Sequence, residues 1–329
     1  MRMHAKLLGV CIMAVIMSFS PLLAQETTDN TYKIDRLVTF LALGTGATTG
    51  TYFPLGNAFA NVWSTRLDQA SVMSHSTSGS IENIRLLRRQ ELDLAIAQSD
   101  IVASAIAGTG NFVGEPFSQL RVLMSLYPEV VQLVVLADSG VQNISDLRGR
   151  KVIVGAPGSG NAMTSLELMK ASGIADGEFE PVYISYDEAI QAMERGDYDA
   201  AIVIAGIPTK MISELQRRVN VRILPFSPME IASLTTALPY LSALSLPENT
   251  YTGQTEPVKT IALIAQLIAS TRLSDDLASK LCQTIFDNLD YLKTIHERAR
   301  DISLETFMDG VPEGYAHPGA VRFYKEHKQ

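Results

Sequence analysis

The chain has 329 residues and a formal net charge of −8, with 47% hydrophobic and 19% charged residues. That length suits two domains, or one large domain with two lobes, and supplies enough apolar sequence for real cores. The acidic balance makes nucleic acid and anionic membrane surfaces poor partners, yet it leaves room for a local anion site built from helix ends and hydroxyls.

Arg2 and Lys6 precede an apolar run from Leu7 to about Leu23, closed by Ala24. A basic start, a short apolar middle and a small residue read as a secretory signal peptide over residues 1–24. An uncleaved anchor is the alternative, because the run lies near the lower limit for a spanning helix. Cys11 sits at the start of the apolar run rather than after it, so the chain is not expected to be a lipoprotein. Cleavage removes two positive charges, moving the net charge from −8 to −10, and leaves Cys282 as the only cysteine. Neither an internal disulfide nor a cysteine metal site is then expected.

Leu37 to Gly44 reads as a strand stopped by the loop Gly44-Thr45-Gly46-Ala47-Thr48-Thr49-Gly50. Tyr52 to Arg66 follows as a helix, with Thr51 at its N-cap and Pro54 tolerated in the first turn. A strand near Ser71 to His75 leads through Ser76–Ser80 into a helix with Ile81, Ile84 and Leu87 on one face. Leu92 to Asp100 reads as a strand ending in polar groups, and two further strands are expected near Leu120–Leu126 and Val130–Ala137.

A second unit starts near Ile144. It holds the strand Val152–Val154, a second glycine turn at Gly155–Asn161, a helix through Ala171, a helix at Tyr186–Arg195 and a strand at Tyr198–Ile204. The phrase Arg89-Gln90-Glu91-Leu92-Asp93 in the first unit is echoed by Arg195-Gly196-Asp197-Tyr198-Asp199 in the second. Alternating strands and helices imply a parallel or mixed sheet in each lobe, with a crevice at the C-terminal strand ends where the glycine turns lie. From Met229 the chain reads as largely helical, with an interlude at Leu246–Gly253 and a long amphipathic helix over Ser274–His296.

Catalytic and cofactor motifs fit poorly. The second turn has Asn161 and Ala162 where a P-loop needs Lys and Ser or Thr, and the first has Thr49 where a dinucleotide fingerprint needs its third glycine. Ser159 lacks the glycine spacing of a nucleophile elbow. The histidines have no zinc spacing, and His317 reads as a structural turn residue. Glu91, Asp93, Asp197 and Asp199 read as solvated turn charges, and Arg85 and Arg121 as solvated or hinge residues. No cofactor, metal or catalytic residue is assigned. Binding explains the loops more economically: hydroxyls and glycines at helix N-termini favour a carboxylate. Gln98, Ser99 and Asp100 at a strand end offer polar groups to a ligand. Tyr52 either closes the pocket or staples the helix to the core.

An ordered series of motifs then runs over nearly all of the mature chain. It comprises Gly44-Thr45-Gly46 through Gly50-Thr51-Tyr52-Phe53-Pro54-Leu55-Gly56, Ser78-Gly79-Ser80 with Glu82-Asn83, Gln98-Ser99-Asp100, and Ser125-Leu126-Tyr127-Pro128-Glu129. Val154–Gly160, Gly206 with Pro208, Tyr251-Thr252-Gly253-Gln254 and His317-Pro318-Gly319-Ala320 complete it. In these the chain resembles the TAXI-type solute-binding proteins of tripartite ATP-independent periplasmic (TRAP) transporters. The resemblance implies a type II periplasmic-binding-protein fold, two α/β lobes with a hinge and a ligand cleft between them. It implies a periplasmic receptor, expected as a monomer and not an enzyme, that delivers glutamate, glutamine or a 2-oxoglutarate-like carboxylate to TRAP membrane permease subunits. The lobes would comprise residues 25–130 and 131–227, with 228–329 returning to the first lobe and hinge. The implied ligand-binding residues are Thr45, Gly46, Tyr52, Ser78, Gln98, Ser99, Asp100, Ser159, Gly160, Asn161 and Gly206. Asn161 departs from the threonine usual in that family, which bears on ligand preference. A type II binding protein of an ABC importer and an exported enzyme are the alternative classes.

Overall fold

The computed structural model describes residues 38–328. The signal-peptide reading and the first residue of the expected opening strand, Leu37, lie outside them. In chain order the described elements are β1 (Thr39–Gly44), α1 (Tyr52–Arg66), β2 (Ala70–His75), α2 (Ser80–Arg88), β3 (Leu94–Gln98), α3 (Ser99–Ala107) and β4 (Leu120–Leu136). There follow β5 (Lys151–Ile153), α4 (Gly160–Ala171), β6 (Glu180–Val182), α5 (Tyr186–Glu194), β7 (Ala200–Ala205), α6 (Lys210–Leu215) and β8 (Val221–Leu224). Last come α7 (Pro228–Ala237), β9 (Ser242–Leu246), β10 (Val258–Ser270), α8 (Asp275–Asp287), α9 (Leu289–Ile295) and α10 (Pro318–His327).

The strands form one mixed sheet in the order β2-β1-β3-β10-β4-β7-β5-β6, with β8 on β4 and β9 on β10. Each outer portion is parallel: β2-β1-β3 at one end and β7-β5-β6 at the other. Two long antiparallel strands join them. β10 pairs first with β9 and then runs between β3 and β4. β4 leaves β10 at Val130 and continues between β7 and β8. Each half of the sheet is covered on both faces, as a parallel sheet requires. Phe59, Trp63, Leu281 and Phe323 pack on one face of the first half, and Ile84, Leu87, Ile101 and Phe112 on the other. In the second half, Leu168, Met169 and Phe226 lie on one face, and Ile190, Met193 and Met211 on the other. The indole Nε1 of buried Trp63 donates to Leu281 O at 2.9 Å, which ties α1 to α8.

The echoed phrases occupy matching places. Gln90 and Gly196 both adopt left-handed backbone (φ 64° and 72°) at the ends of α2 and α5, just before β3 and β7. Glycine takes that conformation without steric penalty, whereas Gln90 pays for it. Arg89 pairs with Glu91 and Arg195 with Asp197 at 2.6 Å in each case, so these acids are turn charges. Asp93 accepts from Ala42 N and Asp199 from Arg150.

Three sequence expectations need correction. The two strands expected at 120–126 and 130–137 are the single strand β4, which runs through Pro128 beside a register shift at Ala265/Gln266 of β10. The segment after Met229 contains β9 and β10 as well as helices. The long helix expected over 274–296 is two helices, α8 and α9, divided at Asn288.

Candidate ligand-binding cleft

A cavity of about 260 Å³ opens between the two halves at the C-terminal ends of β1, β3, β5 and β7. Five helices begin on its wall. Thr51, Gly79, Gln98, Ser159 and Ser185, the N-cap residues of α1 to α5, all line it. Ser159 and Ser185 cap their own helices by accepting from Ala162 N and Glu188 N. The N-caps of α1, α2 and α3 make no side-chain cap bond. First-turn N–H groups and helix dipoles that converge on a cavity favour negative charge there. Among the described residues that line it there is no Lys, Arg or His; Glu129 and Asp187 are its acidic side chains.

Of the residues singled out from the sequence, Gly46, Tyr52, Ser78, Gln98, Ser159, Gly160 and Asn161 line the cavity. Thr45, Ser99, Asp100 and Gly206 stand behind its wall. Thr45 follows the strand alternation and donates from Oγ1 to His75 O at 2.6 Å, tying β1 to β2. Ser99 and Asp100 are not strand-end residues but the first turn of α3, and the helical rotation carries their side chains away from the cavity. Gly206 is packed under Arg298, and its carbonyl accepts from Thr51 Oγ1 at 3.3 Å and Thr209 Oγ1 at 2.8 Å. Gly160 has a different reason to be glycine. A Cβ there would lie 1.7 Å from Gln98 Oε1, so the two halves meet at that contact. Sequence reasoning overlooked Glu129, Ser80 and Tyr186 as wall residues. The available signal for Glu129 was an acid inside a long apolar strand, where charge is normally excluded.

The polar groups on the wall are unevenly satisfied. Asn161 is fully employed by the protein. Its Nδ2 donates to Val154 O and to Ile202 O, and its Oδ1 accepts from Ile204 N at 2.6 Å and Tyr186 Oη at 2.8 Å. Gln98 is 2% exposed and its Nε2 has no protein partner. Tyr52 Oη donates to Glu129 Oε2 at 2.8 Å, so this tyrosine is a wall residue as well as a core one. Burial, and then the neighbouring Glu129, raises the Tyr52 phenol well above its ordinary value. Burial likewise holds the Glu129 carboxyl well above the usual carboxylate range, against the lowering effect of the Tyr52 bond. Behind the wall, burial pushes Asp100 up to about 7.

The sequence profile of the NMT1-like family matches residues 43–327. The chain belongs to the NMT1-like family. Solved structures similar to this NMT1-like protein include the alkanesulfonate-binding protein SsuA of Xanthomonas axonopodis pv. citri, bound to MOPS. It is 16% identical, with a TM-score of 0.50, over 88% of this chain and 84% of that one. A second is the zinc-bound ligand-binding component of an ABC-type import system from Staphylococcus aureus. It is 12% identical, with a TM-score of 0.52, over 88% of this chain and 92% of that one. At these identities the likeness is one of fold. The NMT1-like chain thus has the two-lobed α/β fold of periplasmic solute-binding proteins, with the cavity in the cleft.

The cleft of this family member is shut at its edges. Glu82 N donates to Gly158 O at 3.1 Å, Met211 N to Thr49 O at 3.1 Å and Thr51 Oγ1 to Gly206 O. Thr164 Oγ1 lies 2.6 Å from Asp100 Oδ2, joining α4 to α3. Thr51 is therefore at the N-cap position of α1 as expected, but its hydroxyl bonds across the cleft rather than capping. His317, 1% exposed, is structural: Nε2 lies 3.0 Å from Leu273 O, and Nδ1 accepts from Gly319 N. Cys282 is free and buried. Among the described residues no helix is long and apolar enough to cross a membrane, and no group of three or more His, Cys, Asp or Glu could hold a metal ion.

Proposed function

We propose that this protein is an extracytoplasmic solute receptor. It closes its two lobes on a small carboxylate and presents it, as a monomer, to a membrane importer. The observation that carries this reading is the convergence of five helix N-termini on one cavity whose wall has no basic side chain. Such a cavity favours an oxyanion through peptide N–H groups. The Xanthomonas neighbour is an alkanesulfonate-binding protein, and a sulfonate is also an oxyanion. We assign no catalytic residue, because binding and release account for every wall group named above. The lobes we propose follow the sequence boundaries, 25–130 with the C-terminal part of 228–329 against 131–227. The bundling of α8 and α10 onto the first half of the core supports that return.

Two importer classes compete for the delivery step. The name of the Staphylococcus neighbour supports an ABC importer, and this stands ahead of the TRAP permease implied by the motif series. Uptake into vesicles carrying the cognate permease separates them: an ABC system requires ATP hydrolysis, whereas a TRAP system runs on an ion gradient alone. The receptor reading itself is tested by a thermal-shift screen of amino acids, dicarboxylates and alkanesulfonates. A ligand at about 100 times its Kd stabilises the native state by about 2.7 kcal/mol. Gln98→Ala and Ser159→Ala should weaken binding without unfolding the protein. Wild-type affinity in both would refute the cleft assignment.

A further inference from the structure

Glu129 lies where β4 passes from one half of the sheet to the other, opposite Leu263 of β10. It is 2% exposed, yet it forms part of the cavity wall. Oε2 accepts from Tyr52 Oη, and no donor among the described residues reaches Oε1. A carboxyl buried only for structure would have partners on both oxygens, or an apolar residue of similar size would replace it.

The surroundings do not supply the missing charge. Tyr52 faces Glu129 from α1, Tyr127 from its own strand, Tyr186 from α5 and Asp100 from α3. Arg298, in the 3₁₀ turn over 297–301, acts on neighbouring Tyr127 but is engaged by Asp301 at 2.7 Å and Glu297 at 3.4 Å. With no basic side chain on the wall, Glu129 can ionise in the closed cavity only beside a cation that a ligand brings. A ligand that carries both an anionic end and its own cation meets that condition. The unpartnered Nε2 of buried Gln98 adds a donor for the ligand's anionic end.

We propose that Glu129 is the amine-recognising residue of this cleft, its Oε1 accepting from the ammonium of a ligand whose carboxylate lies against the helix N-termini. The proposal rests on the receptor reading above and narrows the ligand to small zwitterions. It makes binding proton-linked. In the empty site burial favours the protonated form of Glu129. When the ammonium seats, the Glu129 O–H bond gives way to an N–H···O bond, and the proton leaves to solvent. Ligand binding then lowers the pKa of Glu129. Affinity is therefore greatest above the pKa of the empty site and falls by up to tenfold per pH unit below it.

Calorimetry in two buffers of different ionisation enthalpy tests this, with L-glutamate, L-glutamine and L-alanine each set against its desamino partner, glutarate, glutaramate and propionate. The amino acid that fits should bind at least about 30-fold tighter than its partner and release close to one proton. Glu129→Gln, similar in shape, should lose the proton release and most of that preference while keeping its thermal midpoint. Proton release by the wild type is an independent reading should the variant fold poorly. Tyr52→Phe removes the bond that lowers the Glu129 pKa, so it should move the affinity profile to higher pH. Equal binding of both partners without proton release would overturn the role of Glu129 and leave the receptor reading standing. No binding by either series would remove both the carboxylate reading and this one.

Discussion

Asp100 shows how a residue can be marked by its motif yet act behind the site. Thr164 Oγ1 donates to Asp100 Oδ2 at 2.6 Å and also lies 3.0 Å from Gly160 O. Its single hydrogen serves one of them at a time, and a protonated Asp100 can supply the hydrogen of the first contact. Burial raises Asp100 from 3.8 to about 7. The protonated acid is thus favoured in the folded state, and its stabilising contribution is complete below pH 3.8 and lost as pH rises through 7. The full amplitude is about 4 kcal/mol. Asp100→Asn mimics the protonated acid and should lack this loss. In denaturant titrations from pH 4 to 8, the wild type should fall relative to the variant. A constant difference across that range would show that Asp100 is ionised throughout.

Among the elements, α4 depends on one tether. Asn161 bonds the end of β5, two carbonyl or amide groups of β7 and the first residue of α5, all from one buried amide. Asn161→Ala leaves those backbone groups without partners and should cost about 3 kcal/mol in urea unfolding, beyond any loss of affinity. A cost below about 1 kcal/mol would place water or ligand in its role. Element legibility followed burial. The glycine-to-helix turns at 44–52 and 155–160 were readable because their local chemistry sets them. β10 was not, because Ile261–Ile268 is covered on both faces and has no alternation to separate it from a buried helix. β4 looked like two strands because Pro128 cannot donate in a ladder, and only the partner's register shift accommodates it. The break at Asn288 was hidden because the apolar spacing continues from α8 into α9.

For the molecule as a whole, the sequence order of motifs indicated the two-lobed plan, but not which residue of each motif faces the cleft. Gln98 and Gly160 meet across it, while Ser99 and Asp100 turn away within one residue of Gln98. That distinction depends on where a helix starts, to a precision of one residue. Closure is expected to bend β4 and β10 near Val130 and Ala262, since these strands cross between the halves. Small-angle scattering should then show a smaller radius of gyration with ligand than without it. Thr164→Val removes a bond joining α4 to α3 and should weaken ligand binding by about fivefold, corresponding to ~1 kcal/mol. Unchanged affinity would mean that this contact is already made in the open form.

The five helix starts around the cavity have a consequence for how such a site is probed and how it diversifies. In the receptor reading, the attraction for a negative ligand resides in peptide groups, which every residue except proline carries. Alanine scanning would then leave the main anion contacts untouched and report only the side chains that trim the cavity. Amide-to-ester replacement at first-turn positions would expose them. Variants arising by point substitution would change which molecule is accepted far more readily than the sign of the charge.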